Sequence, residues 1–143
     1  MDILNTFRIS GSALQAQSIR LNTISSNLAN VETTSTPDGG PYKKKSVYFQ
    51  STPKTFQEQL DGEIKDGVQG VKVAGITEDQ APPKKVYNPS HPDANADGYV
   101  EMPNISVLEE MVDMMSATRS YQANVTTIKM AKRMAMKALE IGR

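Results

Sequence analysis

The chain contains no cysteine and no tryptophan. It therefore has no disulfide framework, no thiolate metal ligand and no thiol nucleophile, and packing and hydrogen bonding must hold it together. Histidine occurs once, as His91 in Asn88-Pro89-Ser90-His91-Pro92. No serine motif or second ligand stands at a useful spacing from it, so a loop role is expected. Long apolar runs are missing too. No window approaches the length of a membrane span, and the first residues lack the basic and apolar regions of a cleaved secretory leader. Sixteen acidic and sixteen basic residues cancel, which removes any bulk attraction to nucleic acid or anionic membrane. There is no P-loop and no glycine-rich dinucleotide fingerprint, and the carboxylates are scattered. The expectation is a protein without cofactor, catalytic site or metal site: not an enzyme.

What is present is helix at both ends. The chain has 143 residues with 38% hydrophobic content, enough for one modest domain. From Asn104 to Ile141 there is neither proline nor glycine, and the run is rich in Ala, Met, Leu, Glu, Lys and Arg, all good helix formers. Val107, Met111, Met114, Thr118, Tyr121, Val125, Ile128, Lys132, Ala135 and Leu139 alternate steps of four and three, a seam of period 3.5. Asn104 or Ser106 can cap its start. Glu109, Glu110 and Asp113 sit at the positive end of the helix dipole, and Lys129, Lys132, Arg133 and Lys137 toward the negative end. Such a helix spans roughly 55 Å at 1.5 Å per residue, longer than the roughly 37 Å expected of a compact chain of this size. The molecule should be elongated, with part of the helix's apolar stripe left for an interaction surface. Six methionines lie in this helix, suited to core packing and to adaptable contact between subunits.

A second seam of the same period runs through Ile3, Phe7, Ser10, Leu14, Gln17, Leu21, Ile24 and Leu28, with Asn30 as a C-cap and the breaker-rich run 33–41 after it. Two matching seams at opposite ends of one chain pack most economically on each other as an antiparallel hairpin. Between Ser10 and Ala29 the only charge is Arg20. An ordinary solvated helix face carries more, so this arm is expected to be covered on several sides, by its own partner helix and by neighbouring subunits. The middle reads differently: short β-prone runs at Lys45 to Gln50, Val68 to Ile76, Lys84 to Tyr87 and Tyr99 to Met102 are punctuated by Gly and Pro. Val71, Val73 and Ile76 are candidates for one face, Thr55 to Leu60 for a helical turn, and Lys43-Lys44-Lys45 for a solvated run.

The expected fold is thus mainly α with a small β insertion. Long N- and C-terminal helices pack as an antiparallel coiled-coil hairpin, elongated, with a short-stranded β module between them. Residues 1–33 and 104–143 form the helical core arms, and residues 34–103 an outer insertion. Asp93-Ala94-Asn95-Ala96-Asp97-Gly98 matches the first six positions of an EF-hand loop, but position twelve is Asn104, and Pro89 and Pro92 bar an incoming helix. A turn with Gly98 at positive φ accounts for the same residues.

Ser10-Gly11-Ser12-Ala13-Leu14, Ala16, Arg20-Leu21, Ile24-Ser25, Asn27-Leu28-Ala29-Asn30 and Thr33 resemble, in order and spacing, the N-terminal motif of the bacterial flagellar basal-body rod and hook proteins. Ala117-Thr118-Arg119-Ser120-Tyr121-Gln122-Ala123-Asn124 resembles their C-terminal signature. Pro41-Tyr42-Lys43, Tyr87 to Pro92, Gly98-Tyr99-Val100 and Pro103-Asn104 are similar to the proximal rod members of that family rather than to its longer distal-rod and hook members. The resemblance implies a structural subunit that polymerises into the proximal rod through its terminal helices, with itself and other rod proteins as partners. It also implies passage through the flagellar type III export apparatus without a cleaved signal peptide, and residence in the periplasmic part of the basal body. The assembly interface expected on seam and motif together comprises Ile3, Phe7, Leu14, Arg20, Leu21, Ile24, Asn27, Leu28, Asn30, Met111, Met114, Thr118, Arg119, Tyr121, Asn124, Val125, Ile128 and Leu139. The alternatives are another short rod subunit of the same family, a soluble helical-hairpin binding module and a calcium-binding protein.

Overall fold

The computed structural model describes residues 3–51 and 69–141. The expected helical turn at Thr55 to Leu60 and the start of the second β run at Val68 lie outside the described residues. Two long helices frame four short strands: α1 (Ile3–Ala29), β1 (Lys45–Ser51), β2 (Val71–Glu78), β3 (Lys84–Tyr87), β4 (Tyr99–Met102) and α2 (Val107–Ile141). Helix α2 has 35 residues, about 52 Å at 1.5 Å each, and its length alone makes the molecule elongated. Ser106 begins it: its hydroxyl accepts the Glu109 N–H at 3.5 Å and its carbonyl the Glu110 N–H at 3.0 Å. At the other boundary Asn30 closes α1, its backbone N–H and its side-chain Nδ2 both reaching the Ser26 carbonyl, at 3.1 and 2.8 Å. Thr33 then donates to Asn30 Oδ1, and the chain leaves the helix.

The helices run antiparallel. Asn27 of α1 meets Glu110 of α2, and Arg20, two turns earlier, meets Asp113 further along. Their contact is close because small residues line it: Ala117 and Ala131 of α2 are 1% exposed, and Ser10 and Ala16 of α1 are also buried. The seam of α2 is therefore rotated by about one residue from the expected one. Glu110, Ala117 and Ala131 are buried beside the expected Met111, Thr118 and Lys132, of which Thr118 is half-buried and the other two are exposed, while Met114, Val125, Ile128 and Ala135 stay half-buried at their expected positions. Large apolar residues suggest a seam by their size, but a helix pair selects the stripe that lets the axes approach. The displaced Val107, Met111 and Leu139 are exposed.

The expected β module is made of two antiparallel hairpins, β1 with β2 and β3 with β4. A bulge between Tyr48 and Phe49 shifts the register of the first, so that Tyr48 faces Gly75 and Phe49 faces Val73. This hairpin lies along α1. The Val71 N–H donates to Ser12 Oγ at 3.1 Å, and Ser12, Gln15, Ala16 and Ile19 face Val71 and Val73. Half-buried Val71 and Val73 share the inner face with Gly75, whereas Ile76 points outward, against the expectation that it would join them. Part of the second-side cover expected for the uncharged α1 arm therefore comes from its own chain. In the second hairpin Tyr87 and Tyr99 pack edge to face with centroids 5.3 Å apart. Gly98 turns it at φ +79, and a Cβ there would sit 2.9 Å from Tyr87 Cε2, so glycine is required.

Candidate assembly surface

The site is built from two contrasting parts, a polar hub at one end of the helix pair and an uncovered apolar surface on α2. Asn27 is 1% exposed. Its Nδ2 donates to the Lys45 carbonyl at 2.8 Å and to Glu110 Oε2 at 3.0 Å. Its Oδ1 accepts the Lys45 N–H at 2.9 Å and the Tyr42 hydroxyl at 3.1 Å. Each capacity of a carboxamide is used, and a flipped amide would set donor against donor at Lys45. Since the Tyr42 proton goes to Asn27, the Ser26 hydroxyl 3.3 Å away donates to the Tyr42 oxygen. One side chain thus fixes the end of α1, the entry to β1 and the start of α2.

Glu110 completes the hub. It is as buried as Asn27, and Lys44 Nζ stands 2.8 Å from its Oε1. Glu110 holds the Lys44 ammonium above the ordinary lysine pKa. The direct contact is the largest cause, the charges of Glu110, Glu109 and Asp113 add to it, and partial burial opposes it. A carboxylate left here without a cation would be strongly disfavoured. The Arg20 to Asp113 pair, at 3.4 Å and with side chains 34% and 48% exposed, is worth far less. The lysine run is therefore not simply solvated: Lys43 is exposed, Lys44 neutralises Glu110, and the Lys45 backbone pairs with Asn27.

The expected interface residues separate accordingly. Ile24 and Asn27 are buried within the chain. Ile3, Phe7, Leu14, Arg20, Leu21, Leu28, Asn30, Met114, Thr118, Asn124, Val125 and Ile128 are half-buried, whereas Met111, Arg119, Tyr121 and Leu139 are exposed. Thr118 and Asn124 spend their side-chain donors on the carbonyls of Met114 and Ser120, one turn back. Among the described elements α2 packs only on α1, so its opposite face is bare. Val107, Leu108, Met111, Val112 and Met115 are all exposed there, and Met130, Met134, Met136, Leu139 and Ile141 are exposed toward the far end. The hydrophobic residues buried among the described residues are, by contrast, only Ala16, Ile24, Val100, Ile105, Ala117 and Ala131. A chain that hides alanines and shows leucine and methionine is shaped for contact with other chains.

Sequence reasoning missed Lys44 and the depth of Glu110. The only signal was a carboxylate in the first turn of α2, a position that the helix dipole alone already favours. The loop at 93–98 is a turn built on Asn95, whose Oδ1 accepts the N–H groups of Asp97 and Tyr99 while Asp93 accepts the Thr34 hydroxyl at 2.7 Å. Among the described residues no three His, Asp or Glu side chains gather where they could hold a metal ion, and no helix is long and apolar enough to cross a membrane.

An antiparallel pair of terminal helices, tied at one end and bare at the other, with small hairpins between, is the form of a polymerising structural subunit. Two family models match the chain: "Flagella basal body rod protein" over residues 7–35, and "Flagellar basal body rod FlgEFG protein C-terminal" over residues 96–141. The first covers α1 from Phe7 onward and the turn to Thr33, and the second covers β4 and α2. The chain is 49% identical over 142 residues to the flagellar basal-body rod protein FlgC of Salmonella typhimurium, covering 99% of both chains. It is 45% identical to that of Bacillus subtilis over 150 residues, covering all of both, and 41% identical to that of Borreliella burgdorferi over 149 residues, covering 99% of this chain and 98% of the other. The chain belongs to the FlgC family of flagellar basal-body rod proteins and is a structural subunit of the rod.

Proposed function

We propose that the subunit polymerises into the proximal part of the rod through α1 and the uncovered face of α2, with copies of itself and with other rod proteins as neighbours. The observation that carries this reading is the inverted burial of α2, alanine inward and large apolar residues outward. The assembly interface comprises the exposed Met111, Arg119, Tyr121 and Leu139 together with Leu108 and Met115. Half-buried Ile3, Phe7, Leu14 and Leu21 complete it once a neighbour closes on α1. Asn27, Asn30 and Ile24 act through the chain's own fold and hold the surface in shape. The protein reaches its place by the flagellar type III export apparatus and stands in the periplasmic segment of the basal body. It acts there as a mechanical element without catalysis. Membership of the rod family supports these last points.

The test uses side chains that are free in the monomer. Leu108 and Leu139 are 74% and 75% exposed, so Leu108→Asp and Leu139→Asp should change monomer stability by no more than about 0.5 kcal/mol. Each should nevertheless abolish swimming and leave basal bodies without rods. Normal swimming by both variants would remove α2 from the interface.

A further inference from the structure

The last turns of α2 separate charge from apolar surface. Residues 128–141 hold Lys129, Lys132, Arg133 and Lys137 against the single acid Glu140, a local excess in a chain that is neutral as a whole. At roughly 100° per residue, Met130, Met134, Ala138 and Ile141 fall within about 80° of one another around the helix. Met130, Met134 and Ile141 are 53%, 61% and 84% exposed, and Ala138 is exposed with them. Lys137 and Arg133 border this stripe on one side, and Ala131, buried against α1, borders it on the other. Lys129, Lys132 and Met136 lie on the opposite face, in water. Lys137 is paired with Glu140, whereas Lys129, Lys132 and Arg133 have no acidic partner among the described residues. Among the described elements α2 packs only on α1, so none of them stands over the stripe.

An apolar stripe with a basic back is the pattern of a helix that lies in the headgroup region of an anionic membrane. A second copy of the chain fits it poorly. Helix α1 has no acidic residue, and at the start of α2 the exposed Leu108, Val112 and Met115 share their side with Arg119, so either helix would bring an uncharged or basic face to a basic one. We propose that the free chain docks on an anionic lipid surface through residues 128–141, with Met130, Met134, Ala138 and Ile141 entering the acyl boundary. Lys137 and Arg133 reach the lipid phosphates at the edge of the stripe, and Lys129 and Lys132 add attraction from the watery side within a screening length. The helix lies on the bilayer and does not span it, in keeping with the absence among the described residues of a helix long and apolar enough to cross. Four apolar side chains make the attachment shallow, reversible and dependent on lipid charge. The contact belongs to the free chain and does not require the rod reading.

Vesicle flotation with the purified full chain tests the contact. Vesicles of phosphatidylglycerol and phosphatidylcholine in equal parts should carry up roughly tenfold more protein than phosphatidylcholine alone, and about 1 M salt, where the screening length falls to about 3 Å, should release it. Lys129→Gln, Lys132→Gln, Arg133→Gln and Lys137→Gln combined should abolish flotation, whereas Lys84→Gln with Lys85→Gln, exposed on β3, should leave it unchanged. All six positions are exposed, so the variants should melt like the parent by circular dichroism. Equal flotation with neutral lipid, flotation by the quadruple variant, or an equal loss in the β3 control overturns the proposal. So does a parent chain that sediments as an oligomer and ignores vesicles, which would give the stripe to a second copy. Because the chain has no cysteine, a fluorophore can be attached through Met134→Cys or Met136→Cys without changing the charge. On anionic vesicles, quenching by acrylamide should drop severalfold at position 134 and stay unchanged at position 136, on the opposite face. Equal protection at both positions overturns the docked face. Incorporation of the parent into basal bodies is scored separately, and its failure would count against the rod reading while leaving the lipid result standing.

Discussion

The two ends of the helix pair are held by different physics. Around Asn27 a single carboxamide makes four hydrogen bonds to α1's own neighbours in space, and Glu110 and Lys44 form a charge contact beside it. At the far end α2 runs on without a partner among the described residues, and Met134, Leu139 and Ile141 are more than half exposed. Polar groups satisfied inside the chain need nothing further, whereas apolar surface left in water favours whatever chain arrives to cover it. The tied end fixes how the two helices meet, and the bare end leaves apolar surface in water.

The largest effect on the monomer should come from the tied end. Asn27→Leu leaves the Lys45 N–H and carbonyl, the Tyr42 hydroxyl and Glu110 Oε2 short of a partner, a loss on the order of 3 to 4 kcal/mol. Urea unfolding would measure it, and a loss below about 1 kcal/mol would show that water replaces the carboxamide freely. Next comes the crossing point. Ala117→Leu forces a large side chain where the helices touch and should cost about 2 kcal/mol, whereas Ala138→Leu, on exposed α2, should be neutral within about 0.5 kcal/mol in the same unfolding experiment.

A smaller effect belongs to Lys44. Its folded pKa is raised above the ordinary value, so the stability it contributes is complete below about pH 10.4 and is lost as the pH climbs through the higher folded value. Melting temperature should fall more steeply above that pH in the parent than in Lys44→Met. Parallel curves would mean that Glu110 does not depend on this cation. The smallest effect belongs to the bare end. Met134→Gln should leave monomer stability within about 0.5 kcal/mol while reducing swimming, and a large loss of monomer stability would place Met134 in an intrachain core.

Much of this architecture was legible from local pattern. Both helices, the Ser106 cap, the Asn30 boundary and the Gly98 turn follow from composition, capping chemistry and breakers, and the terminal motifs carried the family resemblance. The phase of the α2 seam was not legible. Residue size marks Met111 and Val125 as core, but axial approach is decided by Ala117 and Ala131, whose small side chains carry little hydrophobic signal of their own. The hub was hidden for another reason. Asn27 and Glu110 are 83 residues apart, and Lys44 sits in a run that composition reads as solvated. Neither local propensity nor periodicity reports a pairing across that distance. The strands were placed well, but whether they paired as one sheet or two depended on the turn geometry and the position of α1.

Amide hydrogen exchange on the monomer, repeated on purified basal bodies, tests most directly whether one end is tied and the other is completed by assembly. Protection in the monomer should be highest at residues 20–28 of α1 and 111–120 of α2. It should fall to near zero across residues 132–141, and in basal bodies those residues should become protected for hours. Strong protection of residues 132–141 in the monomer, or their continued rapid exchange in basal bodies, would contradict the division between the two ends.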